Sequence, residues 1–227
     1  MTTPFHSACF DSIIWGGAGD GPDSTPHAPG IGEISMDQTI SGILNDSAQL
    51  KASLAKDAAF VAAVKGAFAL IDSAVRQGGT VYACGNGGST CDAMHLCEEL
   101  VARYKRSRPG IRAMHFMDPS MLTCWGNDVG FDDAFARCAE TFCTPQDVFI
   151  GISTSGNSRN VIAATAKARE KGCKSVGLLG KDGGKLASMC DASIIVPSQA
   201  TERIQEAHIT VIHIWCELLE TIGSGKP

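Results

Sequence analysis

Five short, largely apolar segments separated by longer stretches of helical periodicity constrain this chain more than any other feature. They are Val81–Cys84 and residues 113–117, 148–152, 175–179 and 193–196. Between them, helical patterns are expected over residues 91–104, around 131–142, over 161–171 and from about 202 to 222. Strands that are apolar along their length and alternate with helices imply a parallel sheet covered on both faces. The reading is an α/β sandwich, with a loop connecting 117 to 131.

Two helices precede the first strand. One carries Ile40, Ile43, Leu44, Leu50 and Leu54; the other carries Phe60, Val61, Val64, Phe68, Ile71 and Val75, and is stopped by Gly78 and Gly79. Residues 1–36 are rich in Gly, Pro, Ser and Thr and show neither period, so they read as a flexible tail ahead of one domain spanning 37–227.

Composition narrows the partners. Lys+Arg 19 against Asp+Glu 24 gives a net charge of -5, and there is no basic run to serve as a footprint for nucleic acid or anionic lipid. The apolar stretches are expected to break well short of the ~20 residues that cross a bilayer. No basic residue precedes the short apolar patch near the N-terminus, so a secretory leader is not expected and a cytoplasmic location is. The ten cysteines form no Cys-x-x-Cys pair and read as reduced, mostly buried thiols.

In a parallel sheet, ligands bind beyond the carboxyl ends of the strands. Two loops there are chemically unusual: Gly85-Asn86-Gly87-Gly88-Ser89, and Ser153-Thr154-Ser155-Gly156-Asn157-Ser158. Each opens a helix, where unpaired N–H groups and the helix dipole suit a phosphate. The alternative is a pair of tight turns whose Ser and Thr side chains cap the helices. Neither loop fits a Walker or dinucleotide pattern.

The helix after the first loop carries His95 and Glu99 at i and i+4, a spacing that can chelate a divalent ion. The C-terminal helix carries Gln205, His208 and His213. At about 100° per residue, Gln205 lies about 60° from His208 and about 80° from His213, so spacing alone slightly prefers His208 as the pocket histidine. His95 as a core histidine and Glu99 as a solvated side chain form the competing reading, and Cys91 and Glu98 are rival ligands.

The stretches ACGNGGSTCDAMHLCEELVARY, CWGNDVGF, GISTSGNSRNVIAATAKAREKG, LLGKDGGK and RIQEAHITVIH strongly resemble the bacterial phosphoheptose isomerases of the sugar isomerase (SIS) domain superfamily, from Asp37 to the C-terminus. The resemblance implies a three-layer α/β/α fold of flavodoxin-like type with a central five-stranded parallel sheet, assembled as a homotetramer. It implies one zinc ion per subunit on His95, Glu99, Gln205 and His213, choosing His213 where spacing leans to His208. Sugar contacts fall on Asn86, Gly87, Gly88, Glu99, Asn127, Asp128 and Gln205, and phosphate contacts on Ser89, Ser153, Thr154, Ser155 and Ser158. The implied reaction interconverts sedoheptulose 7-phosphate and D-glycero-D-manno-heptose 7-phosphate through an enediol, with Glu99 and His213 as acid and base. Two positions depart from some members: Thr90 stands where they have His, and Glu202 where they have Asp. A non-catalytic SIS protein that binds a sugar phosphate or a replication-initiator partner is the rival reading.

Overall fold

The computed structural model describes residues 35–222. Ser35 caps α1 (Met36–Lys56) through a reciprocal capping box: its Oγ accepts the Gln38 N–H and the Gln38 side chain accepts the Ser35 N–H. The helix therefore starts at the last residue of the sequence-defined tail; residues 1–34 of that tail lie outside the described residues. Asp57 ends α1 and starts α2 (Ala58–Arg76), its carboxylate accepting the N–H groups of Ala59 and Phe60.

Then follow β1 (Val81–Cys84), α3 (Gly88–Val101), β2 (Ala113–His115), α4 (Pro119–Asp128), a single 3₁₀ turn, α5 (Ala134–Phe142), β3 (Val148–Ser153), α6 (Arg159–Glu170), β4 (Lys174–Gly180), a short α7 (Leu186–Met189), β5 (Ala192–Val196) and α8 (Thr201–Ile222). All neighbouring strands pair in parallel, in the order β2-β1-β3-β4-β5. Alternate strand residues divide between two cores. Val81, Ala83, Ile150, Ile152 and Leu178 meet α2, α3 and α8, whereas Tyr82, Cys84, Phe149 and Leu179 meet α5, α6 and α7. The sandwich expected from the sequence is present.

Two expectations need correction. The segment between 117 and 131, read as a loop, contains α4: Asp118 caps it by accepting the Met121 N–H and Pro119 occupies its first turn. It escaped notice because it buries no residue and so carries no periodic apolar face. Conversely, α2 is long and apolar enough to cross a membrane by length and composition. One face of it, with Val64, Ala67, Phe68, Ile71 and Ala74, packs beneath the sheet, and 33% of the span is buried.

All nine described cysteines are free thiols, and Cys84, Cys97, Cys138, Cys143, Cys173 and Cys216 are buried.

Candidate active site

From β1 the chain crosses to β2 on one side, while β3 lies on the other. The resulting crevice between the ends of β1 and β3 receives both unusual loops. Gly87 enters α3 with φ of 56°, in the left-handed region that glycine adopts without strain. Across the crevice the first loop is tied to the first turn of α6, just beyond the second loop, by a reciprocal amide pair. Asn86 Nδ2 donates to Asn160 Oδ1 at 2.8 Å, and Asn160 Nδ2 donates to Asn86 Oδ1 at 2.9 Å.

The capping alternative for these loops does not hold. No side chain caps α3 or α6, in contrast to α1, α2 and α4. The Ser158 hydroxyl pairs with the Ser153 hydroxyl at 2.9 Å instead. Two helix N-termini thus lack a side-chain bond from their N-cap residues beside a group of alcohols, although the Ser89 and Thr90 N–H groups donate to the Asn86 and Gly87 carbonyls and the Val161 N–H donates to Asn160 Oδ1. Ser89 and Ser153 are buried, while Thr154, Ser155 and Ser158 are partly exposed.

About two turns into α3 the titratable residues gather. His95 Nε2 lies 3.0 Å from His213 Nε2 on α8 and 3.3 Å from Glu99 Oε1. The three donor atoms lie within 4.8 Å of one another. These spacings are close to the roughly 3.3 Å edge of a tetrahedron whose bonds to a central ion are about 2.0–2.1 Å, and two imidazoles with a carboxylate are zinc-type donors. The residues therefore fit such an ion. The Tyr104 ring stacks on His213 with centroids 5.8 Å apart. The rival ligands Cys91 and Glu98 are solvent-exposed.

His208 is elsewhere. It is fully buried, its Nε2–H donates to the Leu179 carbonyl at 2.9 Å, and burial, against that hydrogen bond, pushes its pKa down to about 4. The angular preference for His208 fails because it measures only separation around α8, not which side of that helix meets α3.

Gln205 sits at the loop end of the crevice. A Cβ on Gly88 would lie 2.3 Å from Gln205 Nε2, so the carboxamide rests on the Gly88 backbone. Asn127 and Asp128 end α4 in solvent, hydrogen-bonded to each other at 2.8 Å. They are not brought against the His95 cluster.

Sequence reasoning missed two polar residues here. Asn160 looks like an ordinary first-turn residue of α6, and its partner is 74 positions away. Asp92, on α3, is buried with Oδ2 unpartnered; burial, opposed by nearby His95, raises its carboxyl to about 6.

Comparison with known proteins places this architecture. The family model described as "SIS domain" matches residues 47–180, which makes the chain an SIS-domain protein. Phosphoheptose isomerases from Escherichia fergusonii and from Escherichia coli are each 51% identical to it over 178 residues, covering 78% of this chain and 93% of theirs. Among solved structures, a phosphoheptose isomerase from Neisseria gonorrhoeae is similar with TM-score 0.77 and 35% identity, covering 82% of this chain and all (100%) of that one. One from Francisella tularensis gives TM-score 0.77 and 30% identity, covering 82% and 98%. Within the SIS-domain proteins, the chain belongs to the phosphoheptose isomerase family.

Proposed function

We propose that this protein is an aldose–ketose isomerase that interconverts sedoheptulose 7-phosphate and D-glycero-D-manno-heptose 7-phosphate, the first step toward nucleotide-activated heptose. The observation that carries the reading is the coincidence, along α3, of an N-terminus without a side-chain N-cap and of His95 and Glu99, which His213 of α8 joins. The phosphate is held by Ser89, Ser153, Thr154, Ser155 and Ser158 at the N-terminal ends of α3 and α6. Asn86, Gly87, Gly88 and Gln205 meet the sugar; Asn127 and Asp128, exposed at the end of α4, do so only from a neighbouring copy of the chain or after α4 moves. With the phosphate fixed at the far end, the register of C1 and C2 against the cluster is fixed as well.

Glu99 takes a proton from C1 of the ketose and returns it to C2, while His213 moves the hydroxyl proton from O1 to O2. The same two transfers in reverse regenerate the ketose. His95, Glu99, Gln205 and His213 would hold one zinc ion per subunit, which when bound polarises the carbonyl oxygen.

The homotetramer belongs to this proposal. Met36 is 78% exposed, Leu44 65%, Ile40 51% and Ile43 50%, along a helix that leaves the body of the domain. An apolar groove of about 300 Å³, lined by Leu54, Phe60, Val64, Val211 and Ile214 among others, continues that face. Further copies of the chain cover both. A cytoplasmic location belongs to the same proposal.

The test is incubation with sedoheptulose 7-phosphate, with and without a chelator, followed by identification of the product sugar. An aldose 7-phosphate that disappears on chelation is expected. No aldose under any metal condition overturns the proposal in favour of a sugar-phosphate-binding protein.

A further inference from the structure

The candidate ligands sit on two helices, His95 and Glu99 on α3 and His213 on α8, and sequence adjacency does nothing to keep those helices in axial register. Arg108, in the loop after α3, joins them. Its Nη2 donates to the Glu99 carbonyl at 2.8 Å and its Nη1 to the Leu100 carbonyl at 2.9 Å, which also accepts the Ile111 N–H, so the guanidinium fastens the end of α3. Its Nε lies 3.4 Å from Glu220 Oε1 on α8, an ion-pair contact without hydrogen-bond geometry.

Glu220 is 4% exposed. It accepts the backbone N–H groups of Lys105 and Arg106 at 3.1–3.3 Å, and its own carbonyl accepts Arg106 Nη1 at 3.3 Å. Burial pushes its carboxyl up, but those N–H groups and the Arg108 charge outweigh burial and hold it below its ordinary value. Tyr104, immediately before the anchored Lys105 and Arg106, lays its ring on His213. His213 and Glu220 are seven residues apart on α8, so they share one stripe of the helix about 10.5 Å apart along its axis.

We infer that Arg108 and Glu220 are positioning residues for the ligand cluster: they lock α8 against α3, setting the His213 to His95–Glu99 spacing and holding Tyr104 against the His213 ring. A buried ion pair contributes little net stability compared with apolar packing, and fixing a register is the role in which such pairs are best attested. The inference rests on the reading of the cluster as a metal site.

The experiment uses the full chain with Glu220→Gln and, separately, Arg108→Lys, which keeps the charge but loses the planar fork. Zinc affinity is read by competition with a chromophoric chelator, and geometry by the visible spectrum of the cobalt(II) form. Each variant is expected to bind zinc about 10- to 100-fold more weakly, the usual consequence of losing a group that orients a metal ligand, and to show an altered cobalt spectrum. Exchange of the exposed Arg137–Glu140 pair for Gln leaves both readings unchanged. Wild-type affinity and an unaltered spectrum in the Glu220 and Arg108 variants overturn the inference, even where thermal stability falls. If Glu220→Gln does not fold, Arg108→Lys decides alone. A wild-type chain that takes up no zinc overturns the metal reading itself, a result distinct from equal binding by wild type and variants.

Discussion

His95 Nε2 and His213 Nε2 face each other at 3.0 Å although 118 positions separate them. At that distance the two nitrogens either share one proton or share an ion, since two protonated rings would repel and two bare lone pairs would leave both acceptors unsatisfied. His208 is placed oppositely, with Nε2 committed to the Leu179 carbonyl and Nδ1 buried without a partner. His213→Asn is therefore expected to lower turnover at least 100-fold and to weaken zinc binding. His208→Gln, which can still donate to Leu179, retains most activity at a stability cost of about 1–3 kcal/mol. Steady-state kinetics beside thermal melts check the ranking, and a larger activity loss in His208→Gln contradicts it.

The buried His208 also makes a pH prediction. Its folded pKa, about 4, lies below the ordinary value of about 6.5, so the unfolded chain binds the extra proton between those limits. The stability contribution is present above pH 6.5 and is lost as pH falls to 4, by about 3 kcal/mol. Asp92, raised to about 6, works in the opposite sense over the overlapping range, and its effect cancels when wild type is compared with His208→Gln. Denaturant unfolding at several pH values should show wild type losing ground to the variant below pH 6.5; a constant difference from pH 7 to 4 contradicts the assignment.

Gly88 separates function from stability. The nearest atoms to a methyl there are those of the Gln205 carboxamide, the far end of a side chain that can swing away. Gly88→Ala is expected to keep the melting temperature within a few degrees while kcat/KM falls at least about tenfold. Unchanged kinetics would mean that the position of Gln205 does not matter.

Asn160→Ala removes the bridge between the first loop and the first turn of α6 and leaves the Asn86 carboxamide short of a partner. A rise in KM for the sugar phosphate larger than the fall in kcat is expected, with a stability loss of about 1–3 kcal/mol. An unaffected KM contradicts a role for the bridge in holding the substrate loops together.

How far the sequence could be read follows from where each signal resides. The strands and most helices are written in local periodicity, and the two loops announce themselves by composition. His95 and Glu99 are one helical turn apart, so their shared face is a local fact. Which α8 histidine joins them depends on the crossing of α3 and α8, a long-range relation that helix angles cannot supply; the family resemblance pointed to His213. The cue for α4 was local, with Asp118 before Pro119, but a helix without a buried face has no apolar period to detect. Asn160, Arg108 and Glu220 act through partners 74 and more than 100 positions away or through backbone carbonyls, and no spacing rule reaches those.

The most direct test of the account is zinc-edge anomalous diffraction from crystals of the full chain grown with zinc. One peak per subunit bounded by His95 Nε2, Glu99 and His213 Nε2, absent from His213→Asn, is the predicted result. No peak at that position, or one that persists in His213→Asn, contradicts it.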